Sequence, residues 1–242
     1  LADRGVSFTR AYSTAPWTIP SAVSMFTGTF SARHAVGASP ETYDFYVDDE
    51  QPVLGEALEA NGFELKADIE NVLVSELNIL RGFEILRSSA RPIELESEPA
   101  SDWRYERTSE LADLIHKLGP GPRPFFLLKW FLDPHGRYRP PQTIGLPSQA
   151  EYDALPKPKL FYTRLGLANI SEELGEPLEN YASSLLPLEK RFLKALYDKE
   201  VQSIDERVGI LLDALEQAGV VENTIVVFTS DHGEAFGEHT IG

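Results

Sequence analysis

The sequence contains no cysteine among its 242 residues, which excludes disulfides, thiolate metal sites and cysteine nucleophiles. It also has no run of about eighteen apolar residues, the length that a membrane-spanning helix requires. Basic residues are few, because 22 Lys and Arg stand against 38 Asp and Glu, a formal net charge of −16. Since nucleic-acid phosphates require a basic surface, this balance argues against nucleic acid as the main partner. A local cationic pocket for a small anion stays compatible with it.

The chain does not begin with methionine, and its only methionine is Met25. Residues Leu1–Gly5 have the pattern of the last turn of a helix that ends at a glycine. Gly242 directly follows a stretch rich in polar motifs, with no closing element after it. We therefore expect a single partial domain, residues 1–242, that lacks both of its ends. A leader or anchor could lie in the missing parts, so the sequence does not predict localisation.

Four segments of the sequence have the pattern of strands. Apolar and polar residues alternate from Val6 to Tyr12, and residues 63–69 form a second candidate strand. The nearly continuous apolar run at 124–132 is flanked by proline and rich in aromatic residues, which predicts a buried strand of a parallel sheet. The β-branched run at 224–229 predicts another buried strand.

Four helices are predicted between these strands. The first begins at Thr18, a good N-cap residue, and ends at Gly28. Shorter helical patterns cover residues 52–60 and 108–118, and the strongest runs from Leu188 to Gly219. Residues 136–186 are rich in Pro, Gly, Ser and Tyr, which predicts a long irregular insertion. Alternating strands and helices indicate a layered α/β domain.

A candidate metal site follows the strand predicted at 224–229. In open α/β sheets ligands bind at the carboxyl ends of strands, and Asp231 and His232 stand directly after this one. A carboxylate and an imidazole can both coordinate one divalent cation, and Gly233 would let the backbone turn closely around it. The alternative is that Asp231 caps a helix and His232 lies on the surface. His239 could join the site or lie in an exposed loop.

Two further polar groups lie at predicted strand ends. Thr18, at a helix N-terminus, would meet a bound tetrahedral anion, and a nearby metal would make its hydroxyl a nucleophile. Taken alone, Thr18 is more typical of an ordinary N-cap. Asp133 and His135 follow the strand at 124–132, where His135 could donate to a substrate oxygen, act as a general acid, or simply occupy a turn. His34 and His116 are interpreted as structural.

Taken in order, these pieces resemble the sulfatase family of the alkaline phosphatase superfamily. Four segments carry the resemblance: "LADRGVSFTRAYSTAPWTIPSAVSMFTG", "GTFSARHAVG", "PFFLLKWFLDPHGRYRPP" and "YDKEVQSIDERVGILLDALEQAGVVENTIVVFTSDHGEAFGEH". The resemblance implies a sandwich with a mostly parallel mixed sheet between helices. It implies Thr18 and His135 as catalytic residues, Asp133 and His239 as substrate contacts, and Asp231 and His232 as ligands of a divalent metal (Ca, Mg, Mn or Zn).

The sequence departs from the family pattern at two places. The family's nucleophile motif is Cys or Ser, any residue, Pro, Ser and Arg, and its first residue becomes formylglycine. Here Thr18 occupies that first position and Ala22 replaces the arginine, so no formylglycine is expected. The Lys and His that arylsulfatases carry after the next strand have no counterpart in residues 68–72. The family's first metal pair would precede Leu1.

The resemblance implies a metal-dependent hydrolase of sulfate or phosphate esters, acting on a small anionic ester, with threonine as the attacking residue. A phosphoryl or phosphoethanolamine transferase or a phosphodiesterase of the same superfamily is the alternative within enzymes. A non-catalytic binding domain with the same fold is the alternative from another class, which Thr18 and Ala22 favour and Asp231 and His232 disfavour. A periplasmic or extracellular location fits the resemblance, and association with a membrane stays open.

Overall fold

The computed structural model describes residues 1–37, 45–88, 103–119, 121–135 and 187–236, with single positions at 138, 141, 144, 148, 150 and 154. The chain divides into two compact units, which are described separately. The first comprises Leu1–Ser88, Arg123–Trp130 and Val226–Gly233, and the second comprises Ser89–Pro122, Phe131–Ile225 and Glu234–Gly242. No helix in the described ranges is long and apolar enough to cross a membrane. Most of the predicted insertion at 136–186 lies outside them.

A parallel sheet organises the first unit. Its strands are β1 (Glu64–Ile69), β2 (Glu84–Ser88) and β3 (Phe125–Trp130), in the order β2-β1-β3. β1 pairs in parallel with both neighbours, so that Ala67 stands opposite Ile85 on one side and Leu128 on the other. The strands predicted at 63–69 and 124–132 are therefore confirmed. Parallel pairing confirms one part of the expectation from the apolar run at 124–132, but the residues of β3 are half-buried rather than buried.

Four short helices accompany this sheet: α1 (Thr18–Thr27), α2 (Ser31–His34), α3 (Leu54–Ala60) and α4 (Val72–Glu76). The apolar side of α1 lies in the same buried core as the middle of β1, where Ala22, Val23, Ala67 and Ile69 have no exposed surface. Burial of apolar surface is the main force that holds such layers together. Helix α1 ends at Gly28, whose φ of 66° is left-handed, as the sequence predicts.

The N-terminus of α1 differs from the expectation by one residue. Trp17 is extended, at φ −151° and ψ 163°, and occupies the N-cap position, whereas Thr18 is already helical. The prediction that Thr18 is the N-cap is therefore wrong. The side chain of Trp17 makes no capping hydrogen bond. As a consequence, the Thr18 hydroxyl is not the group that closes the helix end.

The second unit contains two long helices that pack together, α5 (Trp103–Leu118) and α6 (Pro187–Gln217). Leu111 and Ile115 of α5 are buried, as are Leu193 and Leu196 of α6. A short 3-10 turn at Val221–Asn223 follows α6. The helical patterns at 108–118 and 188–219 are thus confirmed, and α5 begins earlier than predicted.

Two predicted strands do not form. The segments 6–12 and 224–229 pair with no other strand among the described residues. Their apolar side chains are exposed, Phe8 by 80% and Ile225 by 92% of their surface. The local pattern of each segment favours a strand, but a strand exists only through hydrogen bonds to a neighbour. The prediction of a buried strand at 224–229 is therefore wrong in this structure.

Candidate active site

Thr18 lies at the buried N-terminus of α1, with 8% of its surface exposed. Its hydroxyl Oγ1 is 3.1 Å from Nε2 of His232, a residue 214 positions later in the chain. The other ring nitrogen of His232, Nδ1, is 2.7 Å from the carbonyl oxygen of Gly233. A carbonyl only accepts hydrogen bonds, so Nδ1 carries the proton in this arrangement. In the neutral ring Nε2 is therefore the acceptor, and the Thr18 hydroxyl donates to it.

A second hydrogen bond fastens the Asp-His segment to α1. Ser21 Oγ donates to the backbone carbonyl of Asp231 at 2.5 Å. Thr18 and Ser21 are three residues apart on the helix, so they lie on the same face and hold neighbouring residues of the segment. Ala22, which replaces the family's arginine, is fully buried in the core of this unit. Position 22 therefore presents no cation to this face.

The carboxylate of Asp231 lies beside the same imidazole nitrogen. Its Oδ2 is 3.5 Å from His232 Nε2. The Thr18 hydroxyl and the Asp231 carboxylate thus both lie beside His232 Nε2. Carboxylate and hydroxyl oxygens suit Ca, Mg or Mn, and an imidazole nitrogen suits Zn. No group of three His, Cys, Asp or Glu residues suited to a metal occurs in the part of the chain that the structure describes. The residues present fit part of a divalent metal site, to which Asp231 and His232 would contribute.

A cavity of about 310 Å³ adjoins this cluster. Ser21 and Asp231 line it together with the hydroxyl groups of Ser24, Thr229 and Ser230. The face of α1 that holds the Asp-His segment is therefore also a wall of this cavity. Its polar lining consists mainly of hydroxyl groups, which both donate and accept hydrogen bonds.

His135 and Asp133 belong to the second unit. His135 is exposed, and its backbone N–H donates to the carbonyl of Leu132 at 2.9 Å, which closes a turn just after β3. The Asp133 carboxylate, 9% exposed, is held by two guanidinium groups, Arg207 Nη2 on Oδ2 and Arg104 Nη2 on Oδ1 at 3.2 Å. The substrate roles of His135 and Asp133 stay predictions. His239 lies outside the described residues.

Sequence reasoning missed the charged residues that surround Asp133. Arg207 and Glu200 lie on the buried side of α6, with 0% and 2% of their side chains exposed. Glu200 and Arg207 follow the buried Leu196 by four and eleven residues, which places all three on one side of the helix. A charged residue at such a spacing within an apolar stripe is the signal that would have revealed them.

The stretch that lacks the family's Lys and His carries a buried charge cluster instead. Lys129 Nζ lies 2.9 Å from Asp68 Oδ2 and 2.6 Å from Glu70 Oε1, and neither carboxylate has any exposed surface. Asp68 Oδ1 is also 3.7 Å from Nε of Arg87. The acidic residues at 68 and 70 are therefore compensated by cations from the neighbouring strands β3 and β2.

Glu234 directly follows the Asp-His-Gly segment and belongs, like Tyr138, to the second unit, where the two side chains interact. Burial raises the pKa of the Tyr138 hydroxyl strongly, and the nearby Glu234 carboxylate, which accepts its hydrogen bond, raises that pKa further. Tyr138 therefore remains a neutral donor. Its ring stacks edge-on against Tyr197 and lies beside Phe236, with ring centroids 5.8 Å and 6.2 Å away.

Comparison with known proteins shows which family has this fold. A family model described as Sulfatase matches residues 1–242. An arylsulfatase from Clostridium perfringens is 29% identical over 147 residues, covering 57% of this chain and 29% of that protein. A solved 2-O GAG sulfatase has a TM-score of 0.63 at 19% identity, covering 99% of this chain and 53% of its own.

A phosphonate monoester hydrolase from Silicibacter pomeroyi has a TM-score of 0.60 at 16% identity, covering 95% of this chain and 56% of its own. At such identities the solved structures show a shared fold, which confirms the predicted α/β class. The chain spans between 29% and 56% of the length of these relatives. Because the family model matches residues 1–242, the chain belongs to the sulfatase family.

Proposed function

We propose that this chain forms the catalytic region of a metal-dependent hydrolase of sulfate esters, in which Thr18 is the nucleophile. The observation that supports this most directly is the hydrogen bond from the Thr18 hydroxyl to Nε2 of His232. The two residues are far apart in sequence, and the Gly233 carbonyl fixes the tautomer that makes Nε2 an acceptor. This contact places the proposed nucleophile beside a proposed metal ligand, where a bound cation would favour the ionised hydroxyl.

The reaction proceeds in two displacements. Thr18 Oγ1, ionised by loss of its proton to solvent water, attacks sulfur, and the bond from sulfur to the alcohol oxygen breaks. His135 contacts the substrate and protonates the departing alcohol. Water then cleaves the Thr18 sulfate ester, which releases sulfate and restores the hydroxyl. The likeness of this chain to sulfatases supports sulfur as the centre attacked.

Asp231 and His232 would hold the divalent cation, together with ligands from elsewhere in the protein. A bound cation supplies positive charge that neutralises the sulfate oxygens and favours the ionised hydroxyl. Nε2 of His232 has a single lone pair, so it accepts the Thr18 proton only while it binds no metal. Nε2 of His232, which accepts the Thr18 hydrogen bond in this structure, would therefore exchange that bond for the cation when the cation binds.

A second candidate is phosphoryl transfer or phosphodiester hydrolysis by the same residues. Thr18 favours phosphoryl chemistry, because a threonine hydroxyl can attack phosphorus without the aldehyde chemistry that formylglycine provides. The fold shared with a phosphonate monoester hydrolase is compatible with this chemistry. Either way the partner is a small anionic ester.

We also propose a periplasmic or extracellular location, which fits the family and is tested by fractionating the native cells.

The deciding experiment is a substrate panel. The protein would be assayed with an aryl sulfate, a phosphate monoester and a phosphodiester, each with Mg, Ca, Mn and Zn. Sulfate hydrolysis should dominate, and Thr18→Ala should reduce kcat on the order of 10³-fold or more. The control His116→Ala alters an exposed histidine of α5 and should leave kcat unchanged. A preference for phosphodiesters would select the second candidate, and binding without turnover would indicate a non-catalytic domain.

Thr18 should also be unmodified. Mass spectrometry of the peptide that contains Trp17 and Thr18 should give the mass of plain threonine, because the position holds neither Cys nor Ser. A mass that corresponds to an aldehyde would contradict the proposed nucleophile while leaving the sulfatase assignment intact.

A further inference from the structure

Asp133 belongs to a buried chain of alternating charges in the second unit. Arg207 Nη2 binds one carboxylate oxygen of Asp133, and Arg104 Nη2 binds the other at 3.2 Å. Arg104 Nη1 continues to Glu200 Oε2 at 3.1 Å. Two guanidinium groups and two carboxylates therefore alternate with no net charge. Such a chain is stabilised by its own pairing, and removing one member leaves the others uncompensated.

Helices α5 and α6 hold this chain in a fixed position. Arg207 is fully buried, its Nε donates to the Ser203 carbonyl at 3.3 Å, and its guanidinium lies 4.7 Å from the ring centre of Phe131. A planar guanidinium held by these contacts has little rotational freedom. The Asp133 carboxylate is consequently fixed from both sides by rigid elements.

The turn that carries His135 begins at this fixed point. Phe131 packs on Arg207 and lies four residues before His135. Asp133 is bound by the two arginines and lies two residues before His135. The hydrogen bond from His135 N–H to the Leu132 carbonyl closes the turn. The exposed imidazole therefore extends from a backbone that is fixed by the buried charges beneath it. A carboxylate engaged in this way is also a poor partner for an anionic ester, because the two carry charge of the same sign.

We propose that Arg207 and Arg104, through Asp133, position the His135 turn for catalysis. The inference rests on the proposed function, in which His135 contacts the substrate. It assigns Asp133 a positioning role in place of the substrate contact that the sequence predicts. Displacement of a reacting group by about 1 Å can reduce a rate about 100-fold, so a loosened turn should lower kcat.

The test replaces one carboxylate and one guanidinium of the chain by neutral amide side chains, which can still form hydrogen bonds. Asp133→Asn combined with Arg207→Gln removes one charge of each sign and leaves Arg104 paired with Glu200. The control Glu206→Gln removes a charge from the exposed hydrogen bond between Tyr105 of α5 and Glu206 of α6. Unfolding midpoints would verify that every variant folds, and kcat and KM for 4-nitrophenyl sulfate would be measured with the metal that supports turnover.

The double variant should lower kcat about 10-fold to 100-fold while KM changes less than about threefold. Glu206→Gln should change neither. A rise in KM at constant kcat would overturn the proposal, because it would make Asp133 a substrate contact. Unchanged kinetics in a folded double variant would also overturn it. Arg104→Gln, which leaves Arg207 in place, provides a second variant should the double variant fail to fold.

A readout independent of activity separates this proposal from the proposed function. The ring ¹⁵N signals of His135, assigned with His135→Gln, should shift in the double variant and stay unchanged in Glu206→Gln. A wild-type protein without turnover on any ester would refute the proposed function, and shifted His135 signals would still support the positioning role. Signals that match the wild type would overturn it whatever the kinetics.

Discussion

At the scale of single residues, His34 illustrates how one hydrogen bond determines a ring's protonation. The Val36 N–H donates to Nδ1 at 3.1 Å, so Nε2 carries the proton and donates to Ser24 Oγ at 3.0 Å. Burial lowers the pKa of His34 from its ordinary value of 6.5, and a hydrogen bond to the Pro20 carbonyl opposes that effect only in part. His34 is therefore a neutral structural residue that ties α2 to α1, as the sequence suggests.

This lowered pKa predicts a pH dependence of stability. Below pH 6.5 the unfolded chain takes up a proton on His34 before the folded chain does, so the free energy of unfolding decreases as the pH falls. Above pH 6.5 both forms are neutral and the effect disappears. Urea titrations between pH 7.5 and 5 should show this slope in the wild type and a shallower one in His34→Gln. Equal slopes in the two proteins would contradict the assigned pKa direction.

The buried cluster around Lys129 leads to a second prediction at the residue scale. Lys129→Met leaves Asp68 and Glu70 buried without their shared ammonium, which should cost about 3–5 kcal/mol of unfolding free energy. The matched control is Arg123→Met, which removes a cation from an exposed pair with Glu64 of the same strand β1. That loss should be about 0–1 kcal/mol. Similar losses in the two variants would show that burial does not decide the strength of these pairs.

At the scale of elements, helix α6 carries a buried side that combines apolar and charged residues. Leu196 and Ile204 are 2% and 7% exposed. Val201 is 43% exposed, although its spacing of three residues from Ile204 would place it in the same apolar stripe of the helix. The sequence therefore predicts the helix and only part of its buried side. The spacing of Arg207 from Leu196 indicates that Arg207 lies on the buried side, but its partners Asp133 and Arg104 lie in other elements and cannot be read from that spacing.

Truncation of one side chain on each side of α6 should show this asymmetry. Leu196→Ala removes a buried side chain and should lower the unfolding free energy by about 2–5 kcal/mol. Val201→Ala on the exposed side should change it by no more than about 0.5 kcal/mol, because alanine is also a better helix former. Equilibrium unfolding in urea provides both values. A large loss at Val201 would indicate that a further part of the protein covers that side.

At the scale of the whole molecule, a sequence pattern predicts a strand correctly only where a neighbouring strand pairs with it. The aromatic-rich run at 124–132 becomes β3 because β1 pairs with it, whereas the β-branched run at 224–229 finds no strand partner among the described residues. The site follows the same rule. The sequence predicts Thr18, Asp231 and His232 as residue types at element ends, but the tautomer of His232 depends on the Gly233 carbonyl and cannot be read from spacing.

The net charge of −16 predicts how salt affects catalysis by this protein. An anionic ester is repelled by the overall negative field, and the Debye length falls from about 30 Å at 0.01 M salt to about 10 Å at 0.1 M. Screening should therefore increase kcat/KM for an aryl sulfate across this range, and the increase should be larger for a doubly sulfated substrate. Steady-state kinetics at constant pH and metal concentration would measure both. A decrease of kcat/KM with salt would mean instead that local positive potential at the site, from the bound cation and the α1 N-terminus, outweighs the acidic surface.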